Sequence, residues 1–308
     1  MNLIRLDDLP NELLIDIFTY LDARMLYQCF YNLNFRLNNL LDSLTQLWLI
    51  LSPLKNDNYD ELFVSRIHTL VVQTDIHFTL SEYVNIRRLV LYNSKHEQIS
   101  QIMIDGLHLE TITLISPRCF YSTFHLYEMI FSNKFPYLKS SYLTKVYSPS
   151  FQIRQLSWNQ SPSIRSLRIS SHDSLIHLAI LNSCPNLSSL DLTLHQLDPT
   201  PLDIKPHRNL KHLKFVLNDH LWPTDEIIFQ TFFSLIPCLE RLTIERTIQL
   251  PIELHFDCLA KQIAQQLLYL KQLKIYLHLL NSNQNDILCQ IEKYFSYHKS
   301  YHVYINMQ

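Results

Sequence analysis

One phrase, apolar-x-x-apolar-x-apolar, returns through most of the chain and constrains its fold more than any other feature. It stands at Ile67-Leu70-Val72, Ile86-Leu89-Leu91, Leu109-Ile112-Leu114, Ile164-Leu167-Ile169, Leu187-Leu190-Leu192, Leu210-Leu213-Phe215, Leu239-Leu242-Ile244 and Leu270-Leu273-Ile275. A degenerate copy starts at Leu138. With it counted, successive starts lie 19, 23, 29, 26, 23, 23, 29 and 31 residues apart. Self-similarity at such a period marks a stacked repeat, in which each unit buries its apolar face against its neighbours. The last two apolar positions alternate, as on a short strand with one buried face.

Proline fixes the register. It precedes the phrase in Phe135-Pro136-Tyr137-Leu138, Ser161-Pro162-Ser163-Ile164, Cys184-Pro185-Asn186-Leu187 and Ile236-Pro237-Cys238-Leu239. Proline cannot continue a helix, so each marks where helix gives way to strand. The stretches upstream read as helices: Leu126, Met129 and Ile130; Leu175, Leu178 and Ala179; and a run from Thr224 through Phe232 to Leu235. Residues 257–268 and 285–295 read as two more.

Strand, helix and strand at this period resemble the leucine-rich repeat. That resemblance implies irregular repeats and a curved parallel sheet, the class being α/β. The family's phrase continues to a ladder asparagine at its ninth position, which only Asn218 matches here. Residues 119–158 fit the register worst. A parallel α/β sheet of another type is the alternative.

The first fifty residues have a different grammar. Asp8 reads as a helix cap, with Pro10 in the first turn, where a missing N–H costs nothing. Leu13, Leu14, Ile17, Phe18 and Leu21 then form a wide apolar stripe. A second helix is expected at 24–32, capped by Asp22. A third is expected at 36–50, with Leu37, Leu40, Leu41, Leu44, Leu47, Trp48 and Leu51 on its apolar side. So small a unit buries only about 60% of its unfolded surface, yet it holds many large apolar groups, so a partner surface is a natural place for the surplus. The run Leu9-Pro10-x-Glu12-Leu13-Leu14-x-x-Ile17-Phe18-x-Tyr20-Leu21, closing with Leu47-Trp48, resembles the F-box motif. The family's middle stretch is reduced here to Cys29-Phe30 and Phe35-Arg36. The organisation expected is an F-box at 1–51, a polar joint at 52–59 and a repeat region at 60–308.

Composition removes other classes. Gly106 is the single glycine in 308 residues, against a usual share of about 7%. Phosphate-cradling loops and dinucleotide turns need backbones that glycine permits, so they are excluded. Net charge is −2, which gives no global attraction to nucleic acid. The six cysteines contain no C-x-x-C pair, and the fifteen histidines include no H-E-x-x-H, so no metal, cofactor or catalytic residue is expected. Asp7, Asp8 and Glu12 interrupt any hydrophobic leader, and no run of eighteen apolar residues exists. A cytoplasmic or nuclear location with reduced thiols is expected.

The two resemblances together imply a non-enzymatic substrate receptor of an SCF-type (Skp–cullin–F-box) ubiquitin ligase. Leu9, Pro10, Leu13, Leu14, Ile17, Phe18 and Leu21 would meet the Skp adaptor, and through it cullin and RING subunits. The repeats would hold a target protein. A repeat scaffold whose helical unit only caps the solenoid is the rival reading. The concave face implied by the repeats carries Arg87, Arg88, Arg165, Arg168, Lys211, Lys214, Arg241, Lys271 and Lys274. Such a face suits an acidic or phosphorylated partner, or is simply a solvated surface.

Overall fold

The computed structural model describes residues 6–52, 63–73, 76–146, 160–171, 174–194, 205–217, 230, 232–248, 256–279 and 301–307. The expected joint beyond Ser52, the helix at 285–295, the start of the run from Thr224 and the ladder residue Asn218 lie outside them. The chain divides into two compact units, residues 1–122 and 123–308. Both are α/β.

The first unit opens with a 3-10 turn at Leu6–Asp8 and three helices: α1 (Asn11–Thr19), α2 (Ala23–Phe30) and α3 (Phe35–Ser43). Asp22 caps α2, its carboxylate accepting from the Met25 N–H at 2.8 Å. Asn34 caps α3 by accepting from the Leu37 N–H at 2.8 Å. Two expectations are corrected. Asp8 ends the 3-10 turn instead of capping α1, and Pro10 itself takes the capping position with extended ψ. The third helix stops at Ser43, and Leu47–Leu51 is strand β1. Leu44, Leu47, Trp48 and Leu51 fit a helical stripe, but Leu47, Leu49 and Leu51 fit a buried strand face equally well. Pairing with the next strand decides for the strand.

Strands β1, β2 (Ile67–Gln73), β3 (Arg88–Tyr92) and β4 (Thr111–Ile115) pair in parallel, in chain order. Helix α4 (His96–Asp105), which no sequence signal announced, joins β3 to β4; the Gln98 side chain closes its first turn by accepting from the Lys95 N–H at 2.9 Å.

The second unit repeats the arrangement. Helix α5 (Phe120–Phe131), within which the division falls, leads to β5 (Ser140–Val146) and β6 (Ser166–Ser171). Then come α6 (Ser174–Ser183), β7 (Ser189–Leu194), β8 (His212–Leu217), β9 (Arg241–Ile248), α7 (Phe256–Gln266), β10 (Gln272–Leu279) and β11 (Tyr301–Met307). All pair in parallel in chain order. The expected helices before Pro136 and Pro185, and the one at 257–268, are α5, α6 and α7.

The phrase sets the register. Ser141, Leu167, Leu190, Leu213, Leu242 and Leu273 are paired neighbours across the second unit, and Leu70, Leu89 and Ile112 across the first. Two residues on, Leu143, Ile169, Leu192, Phe215, Ile244 and Ile275 form the second row. None of these is more than 2% exposed. Each fully buried aliphatic side chain contributes about 1.5–3 kcal/mol relative to exposure, so the rows hold each unit together.

The prolines act as turn residues. The N–H groups of Leu138, Leu187 and Leu239 donate to the carbonyls of Phe135, Cys184 and Ile236 at 3.1, 3.0 and 3.2 Å. Each proline thus sits second in a tight turn, where its fixed φ is pre-set. In the copy at Leu210, where Arg208 stands in place of this proline, the His207 side chain makes the bond instead: its Nδ1 accepts from the Leu210 N–H at 3.1 Å.

Adjacent turns are joined by asparagines one residue before the phrase. The Asn85, Asn186 and Asn209 side chains donate to the carbonyls of Ser65, Pro162 and Pro185 at 2.6, 2.9 and 2.8 Å. An asparagine ladder therefore exists, on the opposite side of the strand from the position where the leucine-rich resemblance placed it. Asparagine also stands in for glycine. Asn32, Asn93 and Asn133 take positive φ of 63°, 50° and 58°, whereas Gly106 does not. Asn133 ends α5 in this way, letting the Lys134 N–H reach the Met129 carbonyl at 3.0 Å.

Candidate interaction surfaces

Helix α1 presents two unlike faces. Leu14 and Phe18 are 0% and 1% exposed, and the Phe18 ring packs 5.0 Å from that of Phe30. They hold the helix from inside. Leu13 is 49% exposed, Ile17 39% and Tyr20 83%, with Pro10 exposed and Leu9 and Leu21 half-buried. Pro10, Leu13, Ile17 and Tyr20 are three, four and three residues apart, which sets them in one row along the helix. Arg36 of α3 anchors the start of that row: its Nε donates to Asn11 Oδ1 at 2.8 Å and its Nη2 to the Leu9 carbonyl at 2.5 Å. A cavity of about 290 Å³ lies beside α1, lined by Ile15, Phe18, Leu21, Leu44 and Trp48 among others. The Trp48 indole donates to the Thr19 carbonyl at 3.2 Å at its edge.

The helices are also fastened to the sheet that follows. The Arg66 Nη1, just before β2, donates to the Tyr27 hydroxyl at 3.0 Å, the Leu41 carbonyl at 3.2 Å and Asp42 Oδ1 at 2.8 Å. The Tyr27 and Phe63 rings lie 4.8 Å apart.

Opposite the buried rows, each sheet turns polar residues outward, because side chains alternate along a strand. In the first unit Arg88 is exposed on β3, and the half-buried Arg87 donates to the Ile86 carbonyl at 3.4 Å. His68 stands beside them; burial and then the Arg88 guanidinium hold its imidazole below the ordinary range.

The basic residues of the second unit are largely engaged with carboxylates. Arg168 Nε lies 3.1 Å from Asp191 Oδ2, and its guanidinium sits 4.5 Å over the Tyr142 ring. Lys214 Nζ is 2.6 Å from Glu245 Oε2. Lys211 and Lys271 share Glu240, at 3.3 and 2.7 Å. Arg165 Nη1 donates to the Asn186 carbonyl at 3.3 Å. Arg241 is exposed at the start of β9, and Lys274 is half-buried on β10.

Asp191 is pushed up by burial, against the pull of Arg168 and Lys214, whereas the hydrogen bonds from Lys271 and Lys211 hold Glu240 low. The partner missed from sequence is Glu245. It lies two residues beyond Thr243, hence on the same strand face, so period two would have found it. The face is therefore a patterned one in which acids separate the cations.

Among the described residues, no three His, Cys, Asp or Glu side chains are grouped to hold a metal ion. Among the same residues, no helix is long and apolar enough to cross a membrane. The chain matches no family model and no curated protein.

Proposed function

We propose that this chain is a non-enzymatic substrate-recognition subunit of an SCF-type ubiquitin ligase. Its N-terminal helices, read as an F-box, dock on the Skp adaptor, and its leucine-rich-like repeats present a target protein. The observation that carries the reading is the exposed apolar row Pro10, Leu13, Ile17 and Tyr20, on a helix fixed from behind by Leu14 and Phe18. Scattered single apolar residues on a surface need no explanation, but a row on a rigid helix is the form a partner's groove accepts. The cullin and RING subunits would follow the adaptor into the complex. Rate enhancement would then come from proximity, a target lysine being held near a recruited conjugating enzyme. No group of this chain would take part in bond making.

A second reading is supported by the Arg66 bonds to Tyr27, Leu41 and Asp42. These would suit a helical cap that closes a repeat scaffold without any ligase role, since terminal repeats need covering. Co-purification with the Skp adaptor separates the two. The wild-type chain is expected to retain the adaptor, and a Leu13→Asp/Ile17→Asp variant to lose it while keeping its circular dichroism spectrum. Failure of the wild type to bind would leave the cap reading in its place.

A further inference from the structure

On the outward face of the second unit, Tyr142, Arg168, Asp191, Lys214, Thr243 and Lys274 occupy one continuous row, each paired in register with the next. Cations stand on β6, β8 and β10, with an acid and a threonine on the strands between. Neighbouring strands lie about 4.8 Å apart, so cations recur every ~9.6 Å across the sheet. An extended polyproline-type peptide advances about 9.3 Å in three residues. We infer that this row is a docking ladder for an acidic peptide segment crossing the strands, with a carboxylate at every third residue. The inference rests on the receptor reading above and specifies the target segment it would hold.

Charge complementarity carries the argument in two ways. The residues named for this face in the second unit include seven cations (Arg165, Arg168, Lys211, Lys214, Arg241, Lys271 and Lys274) against the three acids Asp191, Glu240 and Glu245. An acidic segment is therefore attracted overall. Asp191 then decides the spacing. It sits between Arg168 and Lys214, is only 22% exposed and is tied to the Arg168 Nε at 3.1 Å. A carboxylate placed over it meets a like charge, while one set over either neighbour meets a cation. Arg168 is prepared for this contact. Tyr142 lies under its guanidinium and Asp191 takes its Nε, which leaves the side chain, half-exposed at 52%, oriented toward solvent.

The test compares two fluorescein-labelled Ala/Pro peptides of identical composition, one with Glu at every third position and one with the same Glu residues in a block. Anisotropy with the full chain at low ionic strength is expected to show the spaced peptide binding about tenfold more tightly, as several half-exposed pairs would give. Added salt should weaken it, and Lys274→Glu should remove the preference. Equal affinities, binding of neither peptide, or a Lys274→Glu variant that still discriminates would each overturn the ladder. The permutation comparison uses only the wild-type chain, so it stands if the variant misfolds. Adaptor capture is scored on the same preparation. Capture without peptide discrimination defeats the ladder alone, whereas discrimination without capture defeats the ligase reading alone.

Discussion

Leu13 and Leu14 are adjacent in the chain, yet their truncation should have opposite consequences. Leu14 is fully buried and Leu13 is 49% exposed. Leu14→Ala removes about three methylene equivalents, or ~2.4 kcal/mol by transfer alone. The cavity left behind α1 brings the loss to about 3–4 kcal/mol. At Leu13 roughly half the same surface already meets water, and alanine is the best helix former, so the loss should stay below about 1 kcal/mol. Two compact units make a single global transition an unsafe readout. Native-state hydrogen exchange of the α1 and α2 amides measures the effect locally. Leu14→Ala should accelerate exchange there strongly and Leu13→Ala little, while adaptor capture should fall with Leu13→Ala. If both variants loosen α1 equally, the inward and outward assignment of this helix is wrong.

Replacing the α3 cap by Asn34→Ala should cost about 1 kcal/mol, seen as faster exchange of the Leu37 amide, and Asn34→Asp should restore it. His68 and His108 are both held below their ordinary value of 6.5, mainly by burial and then by the Arg88 and Arg87 guanidinium groups respectively. Neutral imidazole is thus the form the folded first unit prefers. Its stability should be fully present above that value and fall as pH drops through it toward the lowered folded values; His108→Gln should flatten part of the slope when opening of the first unit is followed by hydrogen exchange of its own amides, corrected for intrinsic exchange, between about pH 7.5 and about pH 5. Cys184 is buried, and burial pushes its thiol up to about 12. Maleimide should label the exposed Cys29 in the folded chain and Cys184 only after unfolding; prompt labelling of both would contradict the placement of Cys184 behind its turn.

What the sequence determined by itself is the repeat. Alternation and proline spacing are local properties: they gave the buried rows, the strand register and the helix-to-strand turns at Pro136, Pro185 and Pro237. Any fold that buries one face of short strands must express them. The degenerate copy at Leu138 was legible for the same reason, since Leu143 keeps the second row even where Ser141 replaces leucine in the first. Tertiary structure decided what local pattern left open. Leu47–Leu51 fits a helix or a strand, and only β2 alongside made it a strand. Leu13 and Leu14 share one apolar stripe, and only the packing of α1 against its neighbours turned one outward and one in. From the sequence the repeat face is basic on balance, but which acid meets which cation is not legible, because the partners are on other strands. Asp191 and Glu245 meet Arg168 and Lys214 across gaps of more than twenty residues, and the paired register alone brings them within 3.1 and 2.6 Å.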